Sequence, residues 1–372
     1  MISAGSHRAA LQLNPAPERP ETSDDWMRKA AAGCYFHSGM PRLVRGLRER
    51  YELSVRNGGG RGFSVRRRKQ PCARILYYHR VNDDRDPFFD AISTRVFENQ
   101  MRYLARHYHV VSLAEIVRQL DGGGTPEMLV GITFDDGYED NYRNAFPILR
   151  RYNLPATIFL TTGCLDSGAP LWFEQLAEAV KKSTQEYVDF ELISPQRVWL
   201  RTRAERLDAN GRIFSALRSL KDSERTRALR DVLNRLGTPV ECERHNKMLT
   251  WDQARSMMPA GISFGGHTVT HPFVGRLTAA QVCWEVSECK RRIEDELQQP
   301  THHFAYPHGR EGDFSPASKA ALREAGYRAA VTTMWGMNTP STDRMELRRG
   351  GPWEDNQALF AWKLDWYQLV NE

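Results

Sequence analysis

MLVGITFDDG, residues 128–137, is the stretch on which the fold turns. Its first seven residues are apolar, small or β-branched with no alternation of charged side chains, which is what a strand buried on both faces requires. Such strands belong to parallel sheets covered by helices. The run then breaks into two carboxylates, Asp135 and Asp136, placing charge where the chain leaves the core, and Gly137 permits a sharp turn there. An aspartate at a strand end often caps the next helix. Two in succession after a wholly apolar strand exceed that need.

Outward from this stretch the same grammar repeats. ARILYYHRV (73–81), ATIFLTT (156–162), ISFGG (262–266), HHFAY (302–306), YRAAVTT (327–333) and MELRR (345–349) read as further strands. Between them lie helical patterns over 94–108, with Phe97, Met101 and Leu104 on one face, over 278–297 and over 315–325. Strands alternating with helices predict an α/β parallel barrel of about seven strands spanning 71–372. Residues 165–248 interrupt the alternation with WFEQLAEAV, a hairpin around 187–202 and two charged helices ending near Gly237. A segment that long between barrel strands is expected over the loop face, where substrate enters.

The N-terminal 70 residues differ in character. Residues 1–25 lack periodicity and read as disordered. Over 26–51, Phe36, Met40, Leu43, Val44, Leu47 and Tyr51 recur at helical spacing, flanked by arginines. This basic amphipathic helix suits either packing on the core or contact with anionic lipid or a lipid-linked substrate. A glycine-rich, basic linker follows.

Of the chain's 372 residues, 41% are hydrophobic and 10% aromatic, ordinary for a globular protein. The net charge of +6 is carried by residues 28–74, where thirteen Lys and Arg face only Glu49 and Glu52. The remainder is net acidic, which argues against a core that grips nucleic acid or another polyanion. The six cysteines form no CxxC pair and read as reduced thiols. Without a signal-peptide pattern or a run of about eighteen apolar residues, the expected location is cytoplasmic, either soluble or peripheral on the inner membrane face.

Two further motifs fall just beyond predicted strands. In GGHTVTHP (265–272), His267 and His271 are four residues apart, so a compact turn lets both imidazoles face one point. With one aspartate they make a two-His, one-carboxylate set that leaves positions for water and substrate. Zinc is the chemical default for one such ion, and manganese, cobalt or nickel suit the same donors. In FAYPHG (304–309), Pro307 and Gly309 force a tight loop whose N–H groups can point at a developing oxyanion. Trp172, Trp335 and Asn338 are candidates for a substrate pocket, each with packing or a turn as the competing role.

The order TFDDG, HTVTH and YPxG, with YYHRV opening the barrel, resembles the polysaccharide deacetylases of carbohydrate esterase family 4, the NodB homology domain, over roughly residues 73–350. The resemblance implies a distorted (β/α)7 TIM-like barrel that removes N-acetyl groups from an acylated amino-sugar polysaccharide, oligosaccharide or lipid-linked glycan. It assigns Asp136, His267 and His271 to the metal, Asp135 as general base and the Tyr306 backbone N–H to the oxyanion. Where family members carry a late histidine as acid, ELRRG (346–350) offers Leu347 and Arg348 instead, and arginine is a poor proton donor. His308, His79 or Asp135 returning its proton remain candidates for the acid. The competing readings are a deformylase or non-sugar amide hydrolase on the same fold, and a catalytically silent carbohydrate-binding protein.

Overall fold

A computed structural model describes residues 71–123, 128–237, 247–351 and 354–366. The amphipathic pattern over 26–51 and the linker to residue 70 lie outside them. The strands, in chain order, are β1 (Cys72–Tyr78), β2 (His109–Val110), β3 (Met128–Phe134), β4 (Ala156–Leu160), β5 (Tyr187–Asp189), β6 (Arg197–Trp199), β7 (Ile262–Gly266), β8 (His303–Ala305), β9 (Ala329–Val331) and β10 (Arg349–Gly350). Eight of them form one sheet in the order β10-β1-β3-β4-β7-β8-β9, with the short β2 beside β3, and every pairing in it is parallel.

The last segment brings the two edges together. Leu347 bridges to Val331 of β9, while two residues later Arg349 pairs with Ile75 of β1. A short piece of chain therefore spans the gap between β9 and β1, and the sheet is nearly closed into a barrel. The alternation of strand and helix in the sequence has this consequence because each helix packs back on the sheet before the next parallel strand begins. On the outside, Phe97, Met101 and Leu104 of the helix Thr94–His107 are fully buried in the same core as Tyr78 and Phe134. A Cβ at Gly131 in β3 would stand 2.7 Å from the tip of the Ile116 side chain, so the helix Leu113–Arg118 packs closely over the strand there.

A second apolar core belongs to the interruption between β4 and β7. Leu176, Val180, Ile213, Leu217, Val232 and Leu236 pack together from the helices Trp172–Lys182, Arg203–Ser219 and Asp222–Leu236, under the antiparallel pair β5–β6. This core is continuous with Phe273, which follows β7. The inserted helices are thereby anchored at the rim where the strands end.

Candidate metal centre

The chemically notable residues leave the barrel at the C-terminal ends of its strands, the rim on which such barrels carry their sites. His79 follows β1, Asp135 and Asp136 follow β3, His267 follows β7, and the loop Tyr306–Gly309 follows β8. His271 is brought back beside His267 by a tight turn with left-handed backbone at Thr268 (φ 68°) and His271 (φ 60°). Asp136 (φ 72°) and His308 (φ 61°) share that conformation. Left-handed backbone is costly for side-chain-bearing residues and persists only where the surroundings fix it.

The fixing contacts are visible. Thr162 and Gly163 donate their N–H groups to the carbonyls of Thr268 and Val269, at 3.1 and 3.0 Å. Gly163 must be glycine for this, because a Cβ would stand 2.5 Å from the Val269 oxygen. The Thr268 hydroxyl donates to the His267 carbonyl and accepts from the His271 N–H at 3.0 Å. Trp172, from the inserted helix, donates its indole N–H to the His271 carbonyl at 3.2 Å.

Asp136, His267 and His271 are buried, and one donor atom from each lies within 4.8 Å of the others. The Nε2 atoms stand 3.3 and 3.2 Å from Asp136 Oδ1, yet neither makes a hydrogen bond with it, and Oδ1 is a buried oxygen with no hydrogen-bond partner. His267 Nδ1 lies 2.7 Å from the Ala305 carbonyl. A proton on Nδ1 directed at that carbonyl leaves the Nε2 lone pair facing inward, the tautomer a metal ligand requires. Two imidazole nitrogens and an orphaned carboxylate oxygen converging in a buried site fit a divalent cation.

Asp135 is held differently. Both its oxygens accept from Arg349, at 2.7 Å each, in a bidentate pair whose guanidinium is fully buried. Arg349 also donates to Thr133 Oγ1 at 3.1 Å and the Thr332 carbonyl at 2.8 Å, and lies over the Tyr77 ring. Burial is the largest influence and would raise the carboxyl's pKa, but the charge and hydrogen bonds of Arg349 together with the nearby His267 and His79 hold Asp135 below its usual value. His79 approaches from the other side, with Nε2 4.0 Å from Asp135 Oδ2.

The remaining candidates are partly redistributed. The expected oxyanion donor is corrected: the Tyr306 N–H is spent on the Val331 carbonyl at 3.1 Å, because the residue still belongs to the sheet edge, and its ring is buried against Phe314. Pro307 has no N–H, so the first N–H of this loop without a hydrogen bond among the described residues is that of His308. The His308 ring is not an exposed loop side chain. It stacks on Phe273 at 4.1 Å and stands 5.0 Å from His271, with Nε2 buried and unpartnered. Burial, reinforced by the His271 charge, keeps its pKa well below the ordinary histidine value.

Two sugar-pocket candidates turn out to be structural. Trp172 is buried and stacked on Phe214 at 5.2 Å, so packing and the bond to His271 use it. Asn338 is fully buried, its side chain bridging both the N–H and the carbonyl of Arg348 at 2.8 Å. Trp335 stays 40% exposed and rests on Gly350 beside Arg349, the position a rim residue needs. Arg348 faces solvent; it is Arg349 that turns inward. The two-residue period of a strand held that signal, since Arg349 shares the face of the buried Leu347.

The chain matches the family described as polysaccharide deacetylase over residues 122–201 and 219–330. Among curated relatives, YxkH of Bacillus subtilis, named for that family, is 23% identical over 74% of this chain and 69% of its own. The poly-β-1,6-N-acetyl-D-glucosamine N-deacetylase of Staphylococcus epidermidis is 34% identical, over 26% of this chain and only 38% of that relative's length. Two solved structures share the fold with TM-scores of 0.52: the Streptococcus pyogenes deacetylase PplD in complex with acetate, 20% identical over 76% of this chain and 92% of that one, and IcaB from Ammonifex degensii, 21% identical over 78% and 95%.

Proposed function

The chain belongs to the polysaccharide deacetylase family, and we propose that it is a metal-dependent hydrolase that removes N-acetyl groups from an amino-sugar polysaccharide or its oligosaccharide or lipid-linked precursor. The observation that carries the metal reading is the convergence of Asp136 Oδ1 with the Nε2 atoms of His267 and His271, next to a second carboxylate that is fully engaged elsewhere. The naming of relatives for poly-N-acetylglucosamine deacetylation supports the choice of acyl group and sugar.

Asp136, His267 and His271 would hold the ion. Bound there, a divalent cation supplies Lewis acidity toward the amide carbonyl and lowers the pKa of a water, zinc being the default and manganese, cobalt or nickel alternatives. Asp135 stays outside that set and takes the proton of the attacking water. Its bidentate bond to Arg349 fixes the direction of the carboxylate and favours its ionised, proton-accepting form. As the carbonyl carbon becomes tetrahedral, the free N–H of His308 is the donor placed to receive charge on oxygen. Asp135, now protonated, returns the proton to the departing nitrogen, and His79 Nε2 stands 4.0 Å from the same carboxylate.

Acetate release from N-acetylglucosamine oligomers, measured on protein supplied in turn with Zn²⁺, Mn²⁺, Co²⁺ and Ni²⁺, tests this reading. Metal-stimulated release that chelation abolishes is the expected result. Release of formate but not acetate from matched substrates would replace deacetylation by deformylation, and stoichiometric metal without hydrolysis of any acylated sugar would point to a silent binding protein.

A further inference from the structure

Glu285 lies outside every motif that carries the family resemblance, on the helix Ala279–Leu297 that follows the second imidazole. Its carboxylate is buried, and it is aimed at the backbone between His267 and His271. Oε2 accepts from the N–H of Val269 at 2.7 Å and of Thr270 at 3.1 Å, while Oε1 accepts from the Thr270 hydroxyl at 2.5 Å. Three donors from two consecutive residues thus end on one side chain. Those residues separate the two left-handed positions, Thr268 and His271, so Glu285 ties the turn that aligns both imidazoles to this helix.

We propose that Glu285 is a positioning residue of the metal centre: it helps to fix the turn that places His271 opposite His267, and so tunes the affinity for the ion without touching it. The inference rests on the reading of Asp136, His267 and His271 as ligands. Its chemistry makes a distinction that a general structural role would not. A glutamine at this position can accept both N–H groups on its oxygen and donate its amide to the Thr270 hydroxyl, so geometry survives while the charge is lost. An alanine leaves all three donors without a partner, and the ligand turn loses its tie to this helix.

The test is Co²⁺ affinity, measured by competition with a chromophoric chelator, for the wild type, Glu285→Gln, Glu285→Ala and Thr270→Val. Supporting partners of metal ligands typically carry about 10- to 100-fold in affinity, so Glu285→Ala is expected to bind that much more weakly, Thr270→Val several-fold more weakly and Glu285→Gln within about threefold of wild type. At saturating Co²⁺ the turnover of all three should return to near wild type. A Glu285→Ala protein that melts earlier but binds Co²⁺ as tightly as wild type overturns the proposal, as does a Glu285→Gln protein as weak as Glu285→Ala. Should Glu285→Ala fail to fold, Thr270→Val decides, and unchanged affinity there contradicts it. A wild type that takes up no Co²⁺ removes the metal reading and this role with it, whereas equal affinities across the series remove the role alone.

Discussion

Asp135 and Asp136 are neighbours in sequence, both buried at the end of one strand, yet they face opposite halves of the site. Asp136 turns by a left-handed step toward two imidazoles and keeps an oxygen that no hydrogen bond satisfies. Asp135 continues the strand direction into the barrel and is saturated by a guanidinium from the segment that closes the sheet. The difference shows how a strand end makes two tools from one residue type: one carboxylate is left wanting a cation, the other is supplied with one. A group already paired with Arg349 is a poor candidate for the metal and a well-aimed candidate for moving a proton.

The contrast breaks most severely where the ion would be lost. His271→Ala should abolish stoichiometric metal uptake and lower acetate release by several kcal/mol of barrier, about a thousand-fold. Metal analysis alongside turnover checks this, and a variant that keeps full activity would move the centre elsewhere. Arg349→Met attacks the other half. Leaving Asp135 buried without its cation costs about 3–5 kcal/mol, read as a fall in the denaturant midpoint, and activity should fall with it while the metal remains. Loss of metal in this variant would mean the two halves are not separate.

Smaller effects sharpen the boundary. His308→Phe keeps the backbone N–H and the stack on Phe273, so turnover should stay within about tenfold of wild type, whereas loss of an obligatory acid would cost about 10²–10⁴. The kcat of this variant therefore separates the N–H from the imidazole. Glu174 supplies a third buried carboxylate for comparison. It accepts from the Leu171 N–H and the Tyr138 hydroxyl, and burial pushes its pKa up to about 7. A raised carboxyl contributes stability that is complete below its unfolded pKa and is lost as pH rises through about 7. The drop in melting temperature between pH 5 and pH 8 should accordingly be smaller in Glu174→Gln than in wild type.

Much of this was legible before the fold was seen, and the misses have physical causes. The strand MLVGITF and the helix carrying Phe97, Met101 and Leu104 were readable because burial on both faces or on one stripe leaves a plain pattern. The donor set was readable because spacing four in HTVTH constrains where two rings can point. Backbone donors were not. Nothing in FAYPHG says that the Tyr306 N–H still serves the sheet and that the His308 N–H does not, since that depends on where β8 releases the chain. Arg349 was obscured by its exposed neighbour Arg348, and only the alternation with the buried Leu347, just before the two-residue β10, distinguished them. Trp172 looked equally suited to pocket and core because its partners, Phe214 and the His271 carbonyl, are distant in sequence.

The division of labour between the adjacent aspartates is tested most directly by measuring bound metal and acetate release together in Asp135→Asn and Asp136→Asn. Asp135→Asn should retain wild-type metal stoichiometry with turnover reduced by about 10²–10⁴, while Asp136→Asn loses both. An Asp135→Asn protein that loses its metal, or that turns over like wild type, would contradict the assignment.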